Sequence, residues 1–222
     1  MADQDAATRT LNGGTLDPET EITLGLLNAV HENSALTQRS VARELDIALG
    51  LANAYLKRCV KKGLIKVSQV PANRYAYYLT PKGFAEKSRL TAEYLSSSFG
   101  FFRAARQQCT DAFIECGRQG WRHVALAGTG DLGEIATLCA LEAPVTIAGF
   151  VDPAVGETDA RFAGLRIAGS LDDLGSVDAV LITDLRAPQA TYERTAAAFP
   201  PERILVPRLL HVSRNGSRPG GR

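Results

Sequence analysis

TQRSVARELDIALGLANAYLKRCVKK, residues 37–62, reads as a helix, a tight turn and a second, strongly basic helix. In its first half Val41, Ala42 and Leu45 recur at the three- and four-residue spacing of one buried helical face. Thr37 stands where an N-cap is needed, and 46–50 interrupts the pattern. Ala52, Leu56, Cys59, Val60 and Leu64 then resume it, and Asn53, Lys57, Arg58, Lys61 and Lys62 are expected on the opposite face. One apolar side and one row of donors suit a helix lying in a duplex groove. The major groove admits one helix, phosphates reward Lys and Arg, and base edges reward planar side chains such as Asn. An ordinary surface helix with a solvated Lys-rich face has the same pattern, so the residues that follow decide between the two.

Residues 64–68 read as a strand, 69–74 as a turn and 75–79 as a returning strand. Two helices followed by a two-stranded hairpin make a winged helix-turn-helix. In that arrangement Asn53 and Lys57 are expected to read bases, and Arg58, Lys61 and Arg74 to hold phosphates, with Arg74 on the wing reaching the minor groove. Gln38, Arg39 and Ser40, at the start of the first helix of the pair, complete the DNA-binding set. Charge is segregated to match. Residues 36–90 hold 11 basic and 3 acidic side chains, 1–35 hold 1 and 6, and 91–222 hold 13 and 15, within a net charge of only +1.

The run LTQRSVARELDIALGLANAYLKRCVKKGLIKV, followed by YAYYLTPKGFAEKSRLTAEYL, resembles the winged-helix regulators of MarR type found near exopolysaccharide gene clusters. The resemblance covers about a third of the chain and implies double-stranded DNA as a partner. One departure is Ala48, where that family carries a small hydroxyl cap at the start of the recognition helix.

Residues 1–16 read as a disordered lead-in. Asp17 followed by Pro18 is a strong helix start, with Ile22, Leu26, Leu27 and Val30 as the buried stripe and Gly25 as a weak point. After the wing, Thr80 and Pro81 repeat the cap-then-proline signal, and Leu95, Phe102, Cys109 and Cys116 fall at seven-residue intervals, with Ser98, Ala105 and Ala112 between them. A stripe of that period packs lengthwise against another helix, either within its own domain or in a second copy, which would make a homodimer. Gly100 is expected to mark a break between two helices.

A second domain begins near Trp121. The β-rich run 123–127 leads directly into Gly128, Thr129, Gly130, Asp131, Leu132 and Gly133, then a helical stretch, then a second apolar run ending in Asp152. Glycines at that spacing allow a tight turn and the close approach of a phosphate, and an acid about 20 residues further on meets a ribose hydroxyl pair. Residues 170–174 suggest a short helix, 179–183 a buried strand, 188–199 a helix and 204–206 a last strand. The overall reading is an α/β chain: a winged helix-turn-helix domain over 17–90, a long helical connector over 91–120, a Rossmann-like doubly wound parallel sheet over 121–212, and a flexible tail over 213–222.

GTGDLGEIA, IAGFVDPAVGETDARFAGLRIAGSLDDL and DAVLITD resemble the nucleotide-binding Rossmann domains that precede sugar epimerase or acyltransferase modules in polysaccharide synthesis. They are similar, less closely, to the NAD(H) domain of redox-sensing Rex repressors. The resemblance implies NAD(H) or a sugar nucleotide as ligand, Gly128, Gly130 and Gly133 as the phosphate turn, Asp152 as the ribose partner, and Thr183 and Asp184 lining the same crevice. Asp131 opposes a pyrophosphate at short range, which points to a less anionic ligand or to none.

Residues 121–222 lack Lys, present no poised His, Cys or Lys with a partner, and are followed by no substrate domain, so an enzyme is not expected. Cys59, Cys109, Cys116 and Cys139 lie singly in apolar patterns and read as reduced core thiols. His31, His123 and His211 suggest no metal cluster. With no signal peptide and no apolar run long enough to span a bilayer, the expected location is cytoplasmic. The reading as a whole is a regulator whose second domain senses a small effector. A Rex-like redox repressor and a regulator with a non-binding scaffold that recruits a protein partner remain open beside it.

Overall fold

A computed structural model describes residues 16–70, 74–153 and 160–214. The expected lead-in before residue 16, the tip of the wing with the Arg74 side chain, and the tail from 215 onward lie outside the described residues. The chain divides into two compact units, residues 1–99 and 100–222.

In the first unit, α1 (Pro18–Glu32) starts where Asp17 accepts hydrogen bonds from the amides of Glu19 and Thr20, both at 3.1 Å. Its buried stripe is Leu24, Leu26, Leu27, Ala29 and Val30, while Ile22 is only half-buried. At Gly25 a Cβ would lie 2.6 Å from Leu45 Cδ2, so the bare backbone there leaves room for that side chain. α2 (Gln38–Glu44) opens with a capping box between Thr37 and Ser40, and α3 (Leu49–Lys61) starts at Ala48 with no side-chain cap. The turn between them includes Asp46 at φ +50°. α3 buries Ala52, Leu56 and Cys59 against α1 and α2.

β1 (Ile65–Val70) and β2 (Arg74–Leu79) form an antiparallel pair, Ile65 opposite Leu79 and Val70 opposite Arg74. α4 (Pro81–Gln119) follows. The Thr80 hydroxyl accepts the Gly83 amide at 3.0 Å and donates to the Gly63 carbonyl at 2.6 Å, which ties the helix start to the α3–β1 junction. A Cβ on Gly83 would sit 2.0 Å from the Leu64 carbonyl oxygen. Gly100, by contrast, does not break the helix. Nothing lies within 4 Å of its would-be Cβ, and a helical glycine weakens a helix by about 1 kcal/mol without ending it.

The seven-residue stripe of α4 splits in two. Leu95 and Phe102 are 46% and 41% exposed, whereas Ala105, Cys109 and Cys116, joined by Phe113, are wholly buried in the core of the second unit. From Ala105 onward the helix packs on its own unit. Burial pushes the Cys109 and Cys116 thiols up to about 12 and about 11, so near neutral pH both are protonated and inert.

The second unit is a six-stranded sheet built on β3 (His123–Ala127), β4 (Thr146–Val151), β5 (Arg161–Phe162), β6 (Leu165–Ala168), β7 (Ala179–Ile182) and β8 (Ile204–Leu205), in the order β5-β6-β4-β3-β7-β8. All neighbours run parallel except the β5–β6 pair. α5 (Asp131–Ala140) links β3 to β4, and α6 (Pro188–Ala198) links β7 to β8. The chain therefore leaves the central β3 in one direction and later returns to build in the other, which makes the carboxyl ends of β3 and β7 the topological switch point of the sheet. The expected helix over 170–174 is a single 3-10 turn, Asp172–Leu174. The β5–β6 hairpin is an addition to the expected elements. No described helix is long and apolar enough to cross a membrane.

The two glycines of α4 predict opposite signs. Gly83→Ala forces its Cβ into a backbone carbonyl and should cost about 2 kcal/mol or more. Gly100→Ala meets open space and should add about 0.5–1 kcal/mol. Urea unfolding followed by circular dichroism measures both, and equal midpoints for the two variants would contradict the packing described.

Candidate nucleic-acid interface and glycine-turn site

The outward face of α3 is set by its buried one. Opposite Ala52, Leu56 and Cys59 lie Gly50, Ala54, Lys57 and Lys61, flanked by Leu51 and Arg58, and all six are exposed. Lys57 and Lys61 thus stand one turn apart on the face that a duplex would meet, with Lys62 beside them. Arg39, on α2, is exposed and Gln38 half-exposed.

Three of the expected DNA-binding residues are placed differently. Asn53 is half-buried on the flank of α3, and its Oδ1 is buried without a hydrogen-bond partner among the described residues, so it is turned away from the outward face. Arg58 forms an ion pair with Glu19 of α1, which commits part of its charge to holding the two helices together. Ser40 closes the capping box: its Oγ accepts the Thr37 amide at 2.9 Å and donates to the Thr37 carbonyl at 2.8 Å. The sequence reading missed Leu49, Leu51 and Ala54 on the exposed side; counting the helical angle from the buried triad finds Leu51 and Ala54.

In the second unit each glycine of the turn meets a different environment. Gly128 has φ +109°, and a Cβ on it would lie 2.5–2.6 Å from the Cβ, Cα and amide nitrogen of Asp184. Gly130 has φ +137° and open space around it. Gly133 brings α5 against the sheet, since a Cβ there would lie 2.6 Å from Phe150 Cε1. A tight turn, an open approach and a close helix–strand packing are therefore separately provided. The Thr129 hydroxyl donates to Asp152 Oδ2 at 3.2 Å, which joins the turn to the end of β4. Leu132 has its side chain in the core. Asp131 is exposed at the first position of α5, where a carboxylate is favoured by the amide dipoles of a helix whose N-cap, Gly130, has no side chain to offer.

Two residues expected to line the crevice are committed to holding it. Thr183 is fully buried, and its hydroxyl donates to the Gly128 carbonyl at 2.6 Å. Asp184 uses Oδ1 to accept the amides of Arg186 and Ala187, at 2.8 and 3.2 Å, and Oδ2 to accept the Thr191 hydroxyl at 2.7 Å. Among the described residues no group of three or more His, Cys, Asp or Glu is placed to hold a metal ion.

Residues 19–66 match the family model of winged helix-turn-helix DNA-binding domains. The amino-terminal unit carries a winged helix-turn-helix. No curated protein matches the chain. Among solved structures it is similar to the PcaV transcriptional regulator of Streptomyces coelicolor, described with its natural ligand, at 22% identity over 40% of this chain and 62% of that one, with a TM-score of 0.35. It therefore spans less than two thirds of that regulator's length. It is also similar to ZitR, a zinc-responsive MarR family member of Lactococcus lactis, at 18% identity over 47% and 71%, TM-score 0.33. Human N-acetylserotonin methyltransferase in complex with SAM aligns over 84% of this chain and 75% of that one, at 15% identity and a TM-score of 0.29.

The turn predicts its own weak point. Thr183→Val keeps the volume but strands the buried Gly128 carbonyl, and should destabilise the protein by about 1–2 kcal/mol. Thr183→Ser, which keeps the donor, should recover most of the loss in the same unfolding measurement.

Proposed function

We propose that the chain is a DNA-binding transcription regulator of MarR type that acts as a homodimer, and that its carboxyl-terminal sheet is a Rossmann-like domain sensing a nucleotide-type small ligand. The observation that carries the DNA reading is the exposed Lys57, Lys61 and Lys62 at the end of a helix whose other face is wholly apolar, beside a two-stranded hairpin. Cations on one helix face release counterions from a duplex and set the helix in the groove. In a dimer two such helices reach successive turns of a near-palindromic site. The exposed first half of the α4 stripe, Leu95 to Phe102, supports pairing between copies.

The three separate roles of Gly128, Gly130 and Gly133 support a phosphate-bearing ligand. Its phosphates would lie against the open Gly130 and the start of α5, and Asp152 would face the ribose hydroxyls. NAD(H) would supply a redox signal in a Rex-like repressor, and a nucleotide sugar would supply a signal of polysaccharide synthesis. A regulator of this kind works by population shift: the effector favours one spacing of the two recognition helices over another. Asp131 favours a second reading. It already neutralises the helix end where a pyrophosphate would bind, which suits a scaffold that recruits a protein partner without a nucleotide.

Native mass spectrometry of the freshly purified protein separates these readings. A dimer with the added mass of a nucleotide supports the sensor and identifies its class. An empty dimer that NAD, NADH and UDP-glucose all fail to load favours the scaffold. For the DNA reading, Lys57→Ala with Lys61→Ala should weaken binding to every duplex and lower the slope of log affinity against log salt by about 2. An unchanged slope would remove these lysines from the interface.

A further inference from the structure

Direct readout of a base pair needs either a hydrogen-bonding side chain or an apolar contact with the C5 methyl of thymine. In a helix-turn-helix the bases are met by the amino-terminal residues of the recognition helix. On α3 those residues are Leu49, Gly50, Leu51, Ala52, Asn53 and Ala54. Asn53 alone among them has a polar side chain, and its Oδ1 is buried. Ala52 is in the core. What remains facing out beside the lysine row is Leu51 at 41% exposure, the exposed Ala54, and Gly50, whose missing Cβ has nothing within 4 Å; Leu49, also exposed, lies about 200° round the helix from Leu51.

We propose that α3 recognises its DNA through thymine methyl groups, with Leu51 and Ala54 in contact with them and Gly50 allowing the backbone to come close. The inference rests on the DNA-binding reading above and specifies its chemistry. An exposed Leu51 beside Ala54 and the open Gly50 is unfavourable in water and is relieved by an apolar partner. The same helix carries Lys57 and Lys61 one and two turns after Ala54, so whatever covers Leu51 and Ala54 also presents negative charge to that row. A duplex offers methyl groups on the groove floor and phosphates along its rim, which matches both halves of one face. Guanine and adenine have no bidentate partner in the first two turns of α3.

The test uses the full-length protein. Duplexes of about 30 base pairs with a randomised core are enriched by binding, and the winning sequence is resynthesised with uracil in place of every thymine, which removes the methyl and changes no hydrogen bond. Each methyl in contact should be worth about fourfold in affinity, with the salt slope unchanged. Leu51→Ala should bind the thymine duplex more weakly and lose most of the thymine-over-uracil preference, while its circular dichroism stays that of the wild type because Leu51 supports no core. Equal binding of thymine and uracil duplexes, with Lys57→Ala and Lys61→Ala still weakening both, overturns the methyl readout and leaves the DNA reading standing. Salt-independent or absent binding to every duplex overturns both. A Leu51→Ala variant that changes the number of subunits in native mass spectrometry but keeps the thymine preference assigns Leu51 to a protein contact and also overturns the proposal.

Discussion

The amino-terminal unit depends on one close approach. Gly83, in the first turn of α4, lies so near the Leu64 carbonyl that no side chain fits between them, and Thr80 bridges the same junction by bonding to Gly63 on one side and to the Gly83 amide on the other. Lys82 adds a third tie by donating to the Lys62 carbonyl at 3.0 Å. These contacts join the end of the recognition helix, the start of the hairpin and the start of α4 into one block. Interiors packed this closely do not deform gradually, so α3 moves with the beginning of α4 or not at all. Under the proposed function, a shift at the start of α4 would become a shift in where Lys57, Lys61 and Leu51 stand.

In the second unit the equivalent constraint is the set of three glycines, which meet three different neighbours. Gly128 is pressed by the backbone of Asp184, Gly133 by the ring of Phe150, and Gly130 by nothing. The first two explain themselves as packing. The third has no packing reason to lack a side chain, and its positive φ together with open surroundings is where a ligand reading has its support. Thr183 and Asp184 then belong to the frame: one holds the turn from beneath, the other caps the loop ahead of α6.

Much of this was legible in the chain. Asp17 with Pro18, Thr37, and Thr80 with Pro81 mark helix starts through local chemistry, and 124–127 and 179–182 are short apolar runs, one ending at Gly128 and the other starting after Asp178, as buried strands do. What escaped was long-range or angular. The pairing of Arg58 with Glu19 joins residues far apart in sequence, and the β5–β6 hairpin is made of strands too short for a periodic signal. Asn53 was placed outward because a polar residue in a basic helix invites that assignment, although its Oδ1 is buried on the flank of α3. The stripe of α4 held two answers at once, since its seven-residue spacing continues unchanged from exposed Leu95 and Phe102 into buried Cys109 and Cys116. Gly25 reads in the sequence as a weak point in its helix, and neither its contact with Leu45 nor the approach of Gly83 to the Leu64 carbonyl is visible there.

The division of α3 into a basic half and an apolar half has an energetic consequence. In the proposed complex, phosphate contacts by Lys57 and Lys61 would raise affinity for all DNA alike and could not distinguish sites. A methyl contact contributes about 0.8 kcal/mol, well below the 1–3 kcal/mol of a bidentate hydrogen-bonded pair. A single helix reading two or three methyls would therefore prefer its site by only about 10- to 100-fold, against the 10³-fold or more that separates specific from non-specific binding in typical regulators. Two copies on one duplex add their free energies, so the preference is multiplied by itself and approaches that range. If α3 reads DNA in the proposed way, weak apolar readout would make pairing of two chains a condition of specificity, and the exposed amino-terminal half of the α4 stripe would be the surface for it.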